Sequence, residues 1–197
     1  MLSWPEAAAN ATGVGTTAAD DARGSRESQG DIRIDEQHPG TVFTMPTFEH
    51  SIDIRADRAA IFALTQDYAR RLDWDPFLKE ARLLRGAEGA AVGVRAWCAA
   101  KSGRGMETEY VSLKVPQVAA VKMTRGPAVL EKFAGTWRFR EVAPGVTRVA
   151  FRYHLVARPV WLRPLLNAVL MAVFSRDSLK RLRALKHAVE TTNILDR

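Results

Sequence analysis

The last quarter of the chain limits the fold most. From about Pro164 to Glu190 no glycine and no further proline interrupts the sequence, which predicts one helix of ~40 Å at 1.5 Å per residue, with Pro164 tolerated in its first turn. Between residue 79 and that helix the chain is instead broken repeatedly by turn signals, at Gly86, Gly103, Pro116, Gly126-Pro127 and Pro144-Gly145. The pieces between them, roughly 79–85, 91–99, 105–115, 118–125, 131–141 and 146–155, read as antiparallel strands. Ahead of them, MPTFEHSIDIRAD sets Phe48, His50, Ile52 and Ile54 against Glu49, Ser51, Asp53 and Arg55 in strict alternation, a strand with one buried face. Asp57 then caps a short helix, DRAAIFALTQD, and a second short helical or turn segment runs through Trp74, Pro76 and Phe77. The order strand, two short helices, six strands, long helix packs most simply as a curved sheet wrapped around the apolar side of the terminal helix. A cavity can survive between the two.

With 197 residues, 47% hydrophobic and 26% charged, the chain can bury one core of ordinary size. Pattern begins only at Met45, itself a candidate alternative start. Residues 1–45 show no periodicity and too little apolar surface to offset the entropy of ordering, so a disordered tail is expected there and a single domain over 46–197. Gly13-Val14-Gly15 is no phosphate loop, since no strand precedes it and no lysine follows at the required spacing. The tail holds three basic and seven acidic side chains, so the formal +7 of the whole chain conceals +11 on residues 46–197. Charge of this kind bears on partners rather than on fold.

The single cysteine, Cys98, excludes an internal disulfide or a cysteine-rich zinc site and suits a reducing cytoplasm. No basic-then-apolar leader opens the sequence, and no window approaches the ~18 apolar residues of a membrane span. A cytoplasmic protein, at most peripheral to a membrane, is expected. No H-E-x-x-H, G-x-S-x-G or zinc-deaminase pattern occurs, so neither a metal nor another cofactor is expected, nor serine hydrolysis.

Strand parity names the candidate lining. Over 131–141, Phe133, Gly135, Trp137 and Phe139 share one face, opposite Lys132, Arg138 and Arg140. Over 146–155, Val149, Phe151, Tyr153 and Leu155 oppose Arg148, Arg152 and His154. The aromatic faces must point inward, as core or as pocket wall. Trp74, Met123 and His50, the last on the apolar face of the first strand, complete the set of candidate ligand contacts. The strand at 105–115 is ambiguous, with Glu107, Glu109, Val111, Leu113 and Val115 on one face and Met106, Thr108, Tyr110, Ser112 and Lys114 on the other.

In IRADRAAIF at 54–62, Asp67, WDP at 74–76, FAGTWRF at 133–139 and GVTRVAF at 145–151, the chain resembles the START-like or SRPBCC superfamily, also called helix-grip or birch-pollen-allergen-like, and within it the polyketide cyclase/dehydrase family. The resemblance covers about residues 46–190. It implies an α+β fold with a seven-stranded curved antiparallel sheet around the C-terminal helix, and a cavity for a hydrophobic small molecule such as a polyketide, lipid or quinone. It does not separate a carrier from a cyclase that performs aldol closure and dehydration, because the fold hosts both. VSLKVP at 111–116 is similar to the V-S-x-R-V-P stretch of single-domain aromatase/cyclases. That likeness implies that Tyr110, Ser112 and Lys114 face inward as the candidate catalytic residues and assist proton transfer, with Lys114, replacing an arginine, able to donate or accept the proton.

The first half of the terminal helix, PLLNAVLMAVF, is apolar around nearly its whole circumference, and the second opposes Leu179, Leu182 and Leu185 to Lys180, Arg181, Arg183 and Lys186. The additional apolar face is expected to close the cavity mouth or meet a second copy in a homodimer. The alternative is a membrane interface, contacted through residues 161–186 with Trp161 and the basic second half. Nucleic-acid or ribosome binding ranks last, for want of an aromatic platform or recognition motif.

Overall fold

The computed structural model describes residues 47–196; the expected tail at 1–45, the boundary at 46 and the candidate start at Met45 lie outside the described residues. Strands β1 (Thr47–Ile54), β2 (Leu78–Leu83), β3 (Arg95–Ala100), β4 (Gly105–Lys114), β5 (Val118–Arg125), β6 (Leu130–Ala143) and β7 (Val146–Ala157) form one sheet. Their order is β1-β7-β6-β5-β4-β3-β2, antiparallel throughout. Helices α1 (Arg58–Gln66) and α2 (Arg71–Trp74) carry the chain from one edge strand to the other, and α3 (Arg163–Thr191) follows β7. This is the helix-grip fold. Among the described residues no helix is long and apolar enough to cross a membrane.

Local chemistry accounts for the element ends. The Asp57 carboxylate accepts hydrogen bonds from the backbone N–H groups of Ala59 and Ala60 at 2.7 and 3.1 Å, satisfying two donors that a helix start leaves free. β3 begins at Arg95 rather than at 91, because Gly93 turns the chain with φ at +85°, a left-handed conformation open to glycine at little cost.

The two faces of the sheet differ as alternation requires. Inside, Ile54, Trp137, Phe139, Val149, Phe151 and Tyr153 join one buried cluster with Ile61 and Phe62 of α1 and Leu182 and Leu185 of α3. Outside, cross-strand neighbours pair by charge: Arg148 grips Asp53 with two bonds of 2.7 and 2.8 Å, and Arg152 reaches Glu49 at 2.7 Å. Exposed pairs of this kind contribute little each, but they mark the wet face without ambiguity.

Of the register shifts in the sheet, one in β4 reverses the expected faces. In β4, Tyr110 pairs with Val121 and Ser112 with Ala120, so Val111 is an additional residue, a bulge. Beyond it the faces exchange. Leu113 lies opposite Ala119 and packs on the buried cluster, whereas Lys114 lies opposite Val118, which in turn pairs with Arg138 of the outer face. Lys114 is exposed and Ser112 shares the outer face with Thr136. The expected inward orientation of Ser112 and Lys114 is therefore corrected, and the reason is the single residue inserted at Val111. In urea titrations, Leu113→Ala is expected to lower stability by about 1–3 kcal/mol and Lys114→Ala by less than about 0.5 kcal/mol; the opposite ranking would put Lys114 inside.

Candidate functional site

Between the inner face of the sheet and α3 lies a cavity of about 520 Å³. One wall is aromatic. Phe133, Trp137 and Tyr153 from β6 and β7 line it together with Phe174 of α3, which packs directly on two of them, with ring centroids 5.0 Å apart for Phe133 and Tyr153 and 5.8 Å for Tyr153 and Phe174. Phe151 stacks on Trp137 at 4.0 Å, Phe139 at 6.2 Å, and Trp74 meets it edge-on at 6.3 Å. Such pairs hold ring orientations as well as burying area. Across the sheet several lining residues are small, Cys98, Ala100, Thr108 and Ala119 among them, while Tyr110 and Met106 of β4 are the large ones.

A polar set sits on the side of α1. The hydroxyl of Tyr110, buried on the inner face of β4, donates to Gln66 Oε1 at 2.8 Å and lies 3.4 Å from the Tyr68 hydroxyl. Burial pushes the phenols of Tyr68 and Tyr110 and the Cys98 thiol above their ordinary pKa values, and that of Tyr153 up to about 12. All four line the cavity and stay protonated at neutral pH.

A charged cluster ties α2 to α3. Asp75, just after the single turn of α2, directs Oδ2 at Arg181 Nη2, 2.7 Å away, and at Arg71 Nε, 3.3 Å away, while Oδ1 accepts from the Phe77 N–H. Arg181 also donates to the Tyr153 hydroxyl at 2.8 Å, and Arg71 to the Thr65 carbonyl. Both guanidiniums lie near aromatic rings, Arg71 4.7 Å from Trp74 and Arg181 5.3 Å from Phe151, contacts that favour a cation. Burial alone would raise the Asp75 carboxyl, but Arg181 and Arg71 outweigh it and hold it below the usual carboxylate range. Burial works against the charge of Arg181 too, and Asp75 reverses the outcome.

Of the residues expected at the site, Tyr110, Phe133, Trp137 and Tyr153 line the cavity. Phe139, Phe151 and Trp74 form the aromatic layer behind. His50 instead pairs with Ser175 of α3, Nε2 to Oγ at 2.7 Å, and Met123 packs at the site a Gly126 side chain would need. Ser112 and Lys114 are on the outer face. Arg181, expected on the polar side of α3, belongs to the buried stripe Ser178, Arg181, Leu182, Leu185, Ala188 and Val189. Arg71, Asp75, Gln66 and Tyr68 were not anticipated as site residues. The available signals were the aspartate inside Trp74-Asp75-Pro76 and the place of Arg181 three residues after Ser178 and four before Leu185. Among the described residues no group of three or more His, Cys, Asp or Glu could hold a metal ion.

The sequence profile of the family described as polyketide cyclase/dehydrase and lipid transport matches residues 45–190, and the chain belongs to that family. Among curated proteins none matches it in sequence. Three solved structures show the same fold. The di-domain ARO/CYC BexL has TM-score 0.65 and 18% identity over 76% of this chain, which spans about half of it, 48%. The Zhui aromatase/cyclase from Streptomyces sp. R1128 has TM-score 0.64 and 16% identity, with 75% of this chain and 98% of that one covered. A START superfamily protein from Mycobacterium smegmatis has TM-score 0.60 and 12% identity, with 73% and 98% covered.

Asp75→Asn should cost about 3–5 kcal/mol, because two buried guanidiniums would lose their anion. The pH dependence gives a second readout. A carboxyl whose folded pKa is depressed stabilises above the unfolded value of about 3.9 and loses that contribution as pH falls through the folded pKa. Denaturant midpoints measured at falling pH below about 4 should therefore show an Asp75-dependent loss in the native protein that the variant lacks.

Proposed function

We propose that this protein binds a hydrophobic small molecule of the polyketide, lipid or quinone kind in the cavity between the sheet and α3. The observation that carries the reading is the cavity itself: about 520 Å³, inside the range of roughly 300–1,000 Å³ usual for small-molecule sites, walled on one side by aromatic rings and lined elsewhere by hydroxyl and cationic groups as well as apolar ones. Among them the Tyr68, Tyr110 and Tyr153 hydroxyls remain protonated at neutral pH and are suited to holding an oxygen-bearing ligand. Family membership supports the reading, since the family's description covers lipid transport as well as cyclisation.

A cyclase is the second reading, and the donors favour it to a degree. Tyr110, Arg71 and Arg181 would stabilise the enolate oxygen that an aldol closure develops. An aldol step also needs a base, and the one carboxylate among the described lining residues is Asp177, a turn before Arg181 on α3. Lys114 and Ser112, on the outer face, have no part in either reading.

The expected external contact of α3 has a candidate surface. Trp161, Leu165, Val169 and Val173 recur every four residues and are exposed, so a second copy or a lipid surface would meet the chain there, beside the Leu170 and Phe174 that line the cavity.

Native mass spectrometry of freshly purified protein should reveal a copurified apolar ligand. The cavity is tested directly with the neutral fluorescent probe N-phenyl-1-naphthylamine. Val121 faces inward opposite Gly135 and lines the cavity, so Val121→Trp should fill it and weaken probe binding at least about tenfold, at an overpacking cost of about 1–3 kcal/mol. Lys114→Met should leave the affinity within about twofold. Loss of binding on changing Lys114 alone would place the ligand elsewhere.

A further inference from the structure

The charge lining the cavity is unbalanced. Arg71, Lys101, Arg104, Lys180 and Arg181 line it against one carboxylate, Asp177. Lys101, Arg104 and Lys180 are exposed, where water screens them. Arg71 and Arg181 are 5% and 7% exposed and share a single buried anion, Asp75, whose side chain is wholly covered and does not face the cavity. Two buried guanidiniums with one carboxylate leave one positive charge uncompensated, a costly state in a low-dielectric interior that aromatic faces offset only in part. Arg181 Nε is buried with no hydrogen-bond partner. The Tyr153 hydroxyl accepts from Arg181 through a lone pair, which leaves its proton to donate.

We propose that the ligand of this cavity is an amphiphilic carboxylate, its acid group seated on Arg71, Arg181 and Tyr153 and its apolar body along Phe133, Trp137 and Phe174. The proposal rests on the binding reading above and adds the headgroup class. A bound carboxylate makes the count two guanidiniums to two carboxylates, supplies oxygen acceptors for donors already in place, and forms charge-assisted bonds where no solvent competes. A neutral sterol, quinone or ester would leave the cluster as charged as before. The exposed Lys101, Arg104 and Lys180 would draw the anion toward the cavity, a long-range effect that salt weakens, whereas the buried pair would act at contact and resist salt.

The test compares cis-parinaric acid with its methyl ester, which share the same apolar chain, by fluorescence titration of the full-length protein at about pH 8, where the acid is ionised. Affinity for the acid is expected to exceed that for the ester by at least about thirtyfold, and the ratio to survive about 0.5 M salt, where the screening length is only a few ångströms. Arg71→Gln should reduce the ratio about tenfold with the ester's affinity unchanged; if circular dichroism shows that this variant does not fold, the wild-type titrations and their salt series decide alone. Equal affinities for acid and ester would overturn the headgroup assignment and leave the cavity reading standing. Binding of neither would remove both. A ratio that collapses in salt would assign the preference to the exposed lysines and arginine and overturn the role of the buried pair.

Discussion

One carboxylate holds the two sides of the cavity in register. Asp75 stands on the short link between α2 and β2, Arg181 on α3 more than a hundred residues later, and the bond of 2.7 Å between them is short, charge-assisted and directional. Apolar packing has no such direction. Left to hydrophobic contact alone, α3 would be driven to close on the sheet until the void was filled, because burial rewards area and interiors pack densely. A hydrogen-bonded ion cluster at fixed distances, with Arg71 on one side and Tyr153 on the other, resists that collapse and sets how far the helix stands from β3, β4 and β5.

The aromatic layer supplies the second half of the same constraint. Trp137 cannot move into the cavity without leaving Phe151 at 4.0 Å and Trp74 at 6.3 Å, and Tyr153 owes its place over β6 to Gly135, where an added Cβ would press to 3.3 Å from the ring. Large rigid side chains on β6 and β7 thus face mostly smaller ones on β3, β4 and β5, with Tyr110 and Met106 the exceptions. The empty volume follows from this asymmetry across the sheet rather than from any gap in the packing of either half.

The fold was legible because it rests on periodicity. Alternation located seven strands, an uninterrupted run located α3, and Asp57 was recognisable as a cap; β5 falls at the expected residues, 118–125. Side-chain direction on β6 and β7 was equally legible, since aromatics and arginines alternate there without conflict. It failed on β4, where apolar content does not distinguish the faces and one inserted residue at Val111 reverses them. It failed again at Arg181, because an arginine on an amphipathic helix reads as solvated unless its anion is known, and that anion lies far away in sequence. A buried ion cluster is a tertiary property, assembled from residues whose types argue individually for the surface. Trp74-Asp75-Pro76 could mark a fold, but nothing local to it says that two guanidiniums converge on its aspartate.

The basic character of the domain acquires a meaning only when it is located. Part of it is neutralised on the outer face, where Arg148, Arg152, Arg95 and Lys122 pair with Asp53, Glu49, Glu107 and Glu109. Part is exposed and hydrated, as at Lys114 and Arg138. Five more cations line one cavity, where they outnumber carboxylates by five to one, and for the buried pair Arg71 and Arg181 the low dielectric gives each charge more weight than on the surface. A surplus spread over a convex face would suit a polyanion. Concentrated in a concave, aromatic-walled space of this size, it suits a single small anion with a large apolar remainder, which is how a net charge that says nothing of fold comes to bear on the ligand.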